Sequence, residues 1–405
     1  MRLAARVTFH LLLEITIEIL SRLPVKSLLR FKSVCKTWYD LIKTPDFISK
    51  HLLNHSTLNH TPLLVTSSIR GTKNHEMSLL FNDGLNNGSI NLGFPLINCF
   101  SIAGICNGLV CVRLSPLGYR LILCNPSTRQ FREIPGAERN WEEENMQHVE
   151  HVSFGFGFHS SANDYKLIRI VLYSTPSREN NIRADLYVMS TNTWTAIDVK
   201  LLFFFGEMNE YGGYDTISQI EGSSTSALLN GVFYWPALVF PSLPTDPVVV
   251  MSFDMGNEVF RRITTPVVLG GTWYGANLQC MELNDKLDLV VSPPKERGFD
   301  VWVLNEMESS WTHQVKVGSF PRIASEMGNG KYSRITVVGG LKNGELLVTG
   351  DNVSGELKLF PYDIKIRETM DLYFGQLLPG SCVCVYLYAG SLLPIMQANE
   401  MVLNK

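Results

Sequence analysis

One short turn keeps returning along this chain, and its spacing limits what the chain can fold into. An asparagine followed by glycine or aspartate stands at Asn107-Gly108, Asn163-Asp164, Asn230-Gly231, Asn284-Asp285 and Asn343-Gly344, at intervals of 56, 67, 54 and 59 residues. Such dipeptides tolerate the left-handed backbone that tight hairpins require. Each leads into an apolar run of strand formers: Leu109 to Val112, Tyr165 to Val171, Val232 to Trp235, Leu287 to Val291 and Leu346 to Val348. A second marker follows 24, 31, 30, 27 and 26 residues after the asparagines: a strand, a short turn and then Phe131, Trp194, Phe260 or Trp311, with Thr369 in the fifth unit. Each unit is long enough for a four-stranded sheet.

Sheets repeated in this way remove their free edges by closing into a ring. The chain is therefore read as mainly β, with a β-propeller-like domain over 61–397. The segment 61–100 and the run Cys382 to Leu393 are expected to supply the strands that close it. Five repeats plus that unit give about six blades, with seven as the alternative. A β-sandwich seldom needs over 300 residues.

The first part of the chain reads differently. Ile15, Ile19, Leu20 and Leu23 recur at helical spacing, and Pro24 ends that helix and can open another. Leu28, Leu29, Phe31 and Val34 form a second stripe; Trp38, Leu41 and Ile42 form a third, stopped near Pro45. Three short helices make a tiny core and carry more apolar residues than it can bury. The surplus faces either a partner or the rest of the chain; periodicity leaves both open. Residues 54–60 read as a polar link; of His51, His55 and His60, the pair at i, i+4 has metal-ligand spacing but no third ligand, so they read as a solvated helix end and link. Met1 to Leu13 reads as a frayed lead-in, since Glu14 and Glu18 interrupt any leader-like apolar run.

Charge divides the chain. Residues 1–55 hold nine Lys/Arg and four Asp/Glu, a balance of +5, and the remainder holds 26 and 34, a balance of −8. The acidic remainder argues against nucleic acid as a partner, and no run of 18 uncharged apolar residues suggests a membrane span. The eight cysteines lack C-x-x-C spacing and mostly sit in strand-like runs, so free buried thiols are expected, and no metal or cofactor. No catalytic motif is present. Gly155-Phe-Gly157 reads as a tight strand connection, Gly328-Asn-Gly330-Lys331 lacks phosphate-loop spacing, and Glu142-Glu143-Glu144 reads as a solvated loop.

The run Ile17-Glu-Ile-Leu-Ser-Arg-Leu-Pro-Val-Lys-Ser-Leu-Leu-Arg-Phe-Lys-Ser-Val-Cys-Lys-Thr-Trp38, continuing through Leu41-Ile42, Pro45, Phe47 and His51, resembles the plant F-box, placed at 9–53. Cys106-Asn-Gly-Leu109, Asn125-Pro-Ser-Thr-Arg129, Phe154-Gly-Phe-Gly157, Asp164-Tyr-Lys166, Ser252-Phe-Asp254 and Tyr362-Asp363 resemble the kelch-like F-box-associated domain. The resemblance implies a non-catalytic adaptor of an SCF-type ubiquitin ligase, cytoplasmic or nuclear, that docks a Skp-type linker protein and through it cullin and RING subunits. It assigns the surplus apolar surface to that linker, at Ile19, Leu20, Leu23, Pro24, Leu28, Leu29, Val34, Cys35 and Trp38, with some of these holding the core instead. The family opens with Leu-Pro; here the aligned pair is Leu11-Leu12.

The β-domain would then bind a protein target. Residues 138–150 gather Glu138, Glu142, Glu143, Glu144 and Glu150 with Trp141 and a single base, and 206–222 gather Glu207, Glu210, Asp215 and Glu221 with Tyr211 and Tyr214. Acid with aromatic suits a basic partner. Phe156-Gly-Phe-His159 with Asn163-Asp-Tyr165 is similar to S-locus F-box proteins, which recognise basic ribonucleases in self-incompatibility; related members turn over immune or other regulators. The competing readings are an interaction scaffold with a degenerate F-box and a propeller enzyme or lectin.

Overall fold

The computed structural model describes residues 13–395, apart from 57–61, 70–74, 83–86, 92–98, 116–119, 137–147, 175–179, 200–215, 221–225, 241–246, 269–276, 293–297, 307–309, 319–331, 342–343, 353–356, 370–373 and 378–380. The three expected stripes are helices α1 (13–20), α2 (Val25–Phe31) and α3 (Lys36–Leu41). A further helix, α4 (Pro45–Ser56), follows at once and extends into residues first assigned to the link. Pro45 begins this helix, where its missing N–H costs nothing, and the Thr44 hydroxyl accepts from Phe47 N at 3.3 Å.

Among the described residues, every regular element after the helices is a strand. Sheet connectivity gives six blades. The first joins β1 (Leu63–Ile69), β2 (His75–Asn82) and β3 (Asn87–Asn91) to the last strand, β26 (Ser381–Leu387). The second is β4 (Cys99–Cys106), β5 (Leu109–Ser115), β6 (Leu121–Asn125) and β7 (Gln130–Ile134). The third is β8 (His148–His159), β9 (Asp164–Ser174), β10 (Asn180–Val188) and β11 (Thr193–Ile197). The fourth has a divided inner strand, β12 (Thr216–Ile220) and β13 (Ala227–Leu229), then β14 (Val232–Phe240), β15 (Pro247–Asp254) and β16 (Val259–Val268). The fifth is β17 (Asn277–Leu283), β18 (Lys286–Ser292), β19 (Phe299–Asn305) and β20 (Ser310–Val317). The sixth is β21 (Tyr332–Gly340), β22 (Leu346–Asn352), β23 (Leu357–Asp363), β24 (Glu368–Thr369) and β25 (Phe374–Leu377).

The ring closes as the sequence suggested, with a strand from the C-terminal run. β26 pairs with β1 from Leu63↔Leu387 to Ile69↔Ser381 and touches β21 of the sixth blade. Burial explains the wheel. Successive strand residues point to opposite faces, and each apolar cluster is shared by consecutive blades. Leu109, Cys111 and Leu123 meet Phe154, Leu167 and Val171 between the second and third. Ile168, Ile170 and Leu186 meet Trp235, Met251 and Phe253 between the third and fourth.

The repeated signals now have physical roles. Asn107 and Gly108 (φ +51° and +74°), Asn230 and Gly231 (+50° and +79°) and Asn284 and Asp285 (+53° and +58°) form left-handed two-residue turns between the first two strands of a blade. The later aromatic sits opposite the end of the third strand: Cys124↔Phe131, Tyr187↔Trp194, Phe253↔Phe260 and Leu304↔Trp311. In the sixth blade Tyr362 faces Thr369, so the ring comes from the other strand. Gly155 and Gly157 correct an expectation. They lie inside β8, not in a connection, where an added Cβ would meet the Trp235 ring at 2.7 Å and Leu228 at 2.6 Å. Their lack of side chains lets the next blade's aromatics lie against the strand.

Candidate functional site

The helical module has its own core. Leu20, Val25, Leu28, Ile42, Phe47 and Ile48 are buried together, with Ile17, Leu23, Leu29, Phe31, Trp38 and Leu41 packed around them. Phe31 and Trp38 pack with ring centres 5.4 Å apart and planes tilted by 54°. Two of the residues expected to face a partner, Leu20 and Leu28, therefore hold the fold. Leu23, Leu29 and Trp38 are half-buried, while Pro24 and Cys35 are exposed. Ile19 and Val34 are 58% and 60% exposed.

Sequence reading assigned Ile15 to the first helix stripe and did not count it among partner-facing residues. It is 55% exposed and stands one helical turn before Ile19, so α1 presents an isoleucine pair to solvent. Tyr39 and Leu53 are also exposed. Ile15, Ile19, Val34, Tyr39 and Leu53 are the large apolar side chains that this small module leaves exposed among its described residues. Lys26, Arg30 and Lys36 are exposed on the same module and give it a basic surround.

The two histidines are not at a solvated end. His51 is fully buried, and the Nε2 atoms of His51 and His55 reach the Leu23 carbonyl at 3.0 and 3.1 Å. Both rings donate to one oxygen, which ties α4 to the end of α1. Burial pushes His51 down to about 4, with His55 beside it acting in the same direction, and burial also lowers His55. Glu18 binds Arg22 and Lys50, each at 2.6 Å, and Asn54 donates to Ser21 Oγ at 2.9 Å. These polar ties bind α4 to α1 and to the turn that follows it.

A strap after β26, residues 388–395, carries the module on the propeller. Leu392 enters the helical core. Tyr388 is buried between the first two blades, its hydroxyl 2.9 Å from Ser127 Oγ and donating to the Gly108 carbonyl at 3.3 Å. The buried Asn125 donates to the carbonyls of Ser391 and Leu393 at 3.0 and 2.9 Å. Its Oδ1 also receives the N–H groups of Ser127 and Thr128, fixing the turn. The strap thus seats on the rim of first-to-second and third-to-fourth strand turns. Strand direction puts Ile134, His148, Ile197 and Thr216 at the opposite rim.

Those four residues flank the acidic segments. Glu138, Trp141, Glu142, Glu143, Glu144, Glu207, Glu210, Tyr211, Tyr214 and Asp215 all lie outside the described residues, as do Leu11-Leu12, His60 and Gly328 to Lys331. Among the described residues no group of three or more His, Cys, Asp or Glu is placed to hold a metal ion, and no helix is long and apolar enough to cross a membrane. Cys111, Cys124 and Cys280 are buried free thiols, whereas Cys35 is exposed. Burial raises the Cys106 thiol to about 12 and the three buried ones further.

Two family models match the chain: the F-box domain over residues 9–50 and the F-box associated beta propeller domain over residues 86–333. An F-box protein of Arabidopsis thaliana is 25% identical over 393 residues, covering 89% of this chain and 87% of the relative. F-box protein CPR1 of the same plant is 26% identical over 318 residues, covering 74% of this chain and 71% of the relative. Among solved structures, an oligogalacturonate lyase from Vibrio parahaemolyticus overlays with a TM-score of 0.42 at 9% identity, covering 79% of this chain and 75% of that one.

Proposed function

The chain belongs to the F-box proteins that carry an F-box-associated β-propeller domain, and from that membership we propose that it is the target-recognition subunit of an SCF-type ubiquitin ligase. In this reading residues 9–53 dock a Skp-type linker, which brings cullin and RING subunits, and residues 61–397 hold a protein target. The chain contributes proximity: it raises the effective concentration of the target's lysines near activated ubiquitin. The chemistry belongs to the other subunits, and the site of action is the cytoplasm or nucleus.

The observation that carries the proposal is apolar surface left over by a filled core: Ile15, Ile19 and Val34 stand exposed while Leu20, Leu28 and Ile42 are already buried. Pro24 and Cys35 are exposed as well, and Leu23, Leu29 and Trp38 are half-buried. The basic surround suits an acidic linker surface and would speed encounter.

The test is capture of a purified Skp-type linker by the wild-type chain and by an Ile19→Asp/Val34→Asp variant. Both positions are exposed, so the variant keeps the fold while placing charge in the interface. Binding is expected to fall by roughly tenfold or more. No capture by the wild type would transfer the chain to the scaffold reading; equal capture by the variant would move the linker interface away from Ile19 and Val34.

The target is the finer part of the proposal. The described strand ends that flank the acidic segments 138–150 and 206–222, Ile134, His148, Ile197 and Thr216, lie at the rim away from the F-box, and the composition of those segments supports a basic protein. The likeness to S-locus F-box proteins narrows that class to ribonucleases. Binding of a basic ribonuclease that weakens steeply with salt is the expected result; salt-independent binding would direct the search to immune or other regulators.

A further inference from the structure

The F-box and the propeller are joined twice, at two points far apart in sequence. The first junction is the covalent passage from α4 to β1. The second is the strap, which returns to the F-box after the chain has completed the whole ring. Its residues alternate between the two bodies. Tyr388 and Ile395 pack into the propeller, while Leu392 packs into the F-box core beside Leu20, Val25 and Ile48. Asn125, from the second blade, holds the backbone on both sides of Leu392 through the Ser391 and Leu393 carbonyls. The Ser391 hydroxyl accepts from Leu393 N at 3.1 Å, and Gln130 Oε1 accepts from Ile395 N at 3.3 Å. Gly108 is pressed so closely that an added Cβ would stand 2.4 Å from both Ala389 O and Ser391 Cβ.

A single covalent joint would let one body turn about the other. Two joints with a buried apolar plug remove that freedom, because any rotation must withdraw Leu392 or break the Asn125 bonds. We propose that the strap is a positioning device: it locks the F-box at one orientation on the turn rim of the propeller and so fixes where a target carried on the opposite rim stands relative to the ligase. Leu392, Asn125 and Tyr388 are its positioning residues. The part of the inference that concerns ubiquitin transfer rests on the adaptor reading; the part that concerns orientation does not.

The test uses the full chain with spin labels on unnatural residues at the exposed positions 46 and 286, one on α4 and one on the fifth blade. The wild type is expected to give one narrow distance distribution. Leu392→Glu is expected to broaden it about twofold or split it, with helical and strand signals intact and linker capture retained. In a reconstituted ligase the variant should still transfer ubiquitin to its own lysines, but to a wider set of them. Leu392→Ala, which brings no charge into the F-box core, and Tyr388→Phe, which removes only the hydroxyl bonds, keep the experiment decisive where the glutamate variant loses helical structure. A distribution as narrow in Leu392→Glu or Leu392→Ala as in the wild type overturns the proposal. Failure of the linker to bind any of these chains overturns the adaptor reading instead and leaves the distances to judge the strap.

Discussion

Asp288 shows how much a single side chain in this ring can cost. It lies on β18, 1% exposed, and neither carboxylate oxygen has a hydrogen-bond partner. Lys166 occupies the corresponding place in the third blade, two residues beyond the pair that closes the first turn. There the ammonium donates to the Met255 carbonyl at 2.8 Å and pairs with Glu258 at 2.9 Å, joining the third and fourth blades. Asp288 has no such outlet. Burial raises its carboxyl from the ordinary 3.8 to about 7, partly offset by Lys286. The sign follows from linkage. Between pH 4 and 7 the unfolded chain has released this proton and the folded chain keeps it, so stability falls as pH rises through that window and is level above it. The full displacement is worth on the order of 4 kcal/mol. Asp288→Asn should abolish that slope. It should stabilise the protein at pH 8 by about 2 kcal/mol, less than the whole because the amide brings unmet hydrogen bonds of its own. Urea unfolding at pH 4.5 and 8 checks it; equal gains at both values would mean that Asp288 is ionised throughout. Nothing in the sequence marked this residue, since a lone aspartate among Leu287, Leu289 and Val290 reads as the polar side of an alternating strand.

At the scale of elements, the turns were legible because a two-residue hairpin needs positive φ at both positions, and Asn-Gly is the cheapest way to supply it. The inner glycines Gly155 and Gly157 were visible too, but their purpose was not, because the rings that need the space come from Phe233 and Trp235 in another blade. The region up to residue 50 read as helical, but α4 was not distinguished as a helix of its own for a local reason: Pro45 was read as a stop when it stands at a first helical position. The histidines followed from that error. Turn glycines also offer a direct measure of the strap. Gly108 and Gly231 have nearly the same φ, +74° and +79°, but an added Cβ at Gly231 meets nothing within 4 Å, while at Gly108 it strikes the strap. Gly231→Ala should cost only the left-handed strain, about 1 kcal/mol. Gly108→Ala should cost about 3 kcal/mol, the excess being the displaced strap. Denaturant midpoints of the two variants compare them under identical conditions, and equal losses would show that the strap yields freely at that contact.

For the whole molecule the closing strand and the strap are neighbours in sequence with separate duties, and truncation can part them. β26 covers Leu63 and Leu64, both fully buried, and lies between β1 and β21. Without it, β1 becomes an open edge and the apolar faces of the first and sixth blades lose their cover. Tyr388 still belongs to this closure, because its N–H bonds the Pro62 carbonyl at 3.0 Å and its ring fills the core between the first two blades. Beyond it the chain plugs the F-box core through Leu392 and lies on the second and third blades through the Asn125 bonds to Ser391 and Leu393, the Gln130 bond to Ile395 and the apolar contacts of Leu393 and Ile395. A chain ending at Tyr388 should therefore elute with the same oligomeric state as the full-length protein, with a propeller that unfolds within a few degrees of it, while the F-box exchanges amide hydrogens faster. A chain ending at Gly380 should lose ring closure and aggregate through the exposed edge. Size-exclusion chromatography with amide exchange on the two truncations checks both statements. If the shorter chain stayed monomeric and cooperative, five blades and three strands would suffice and closure by β26 would not be what holds the ring. If both truncations aggregated, the strap itself would be part of the wheel, and the F-box would be bound to the propeller's stability rather than merely to its orientation.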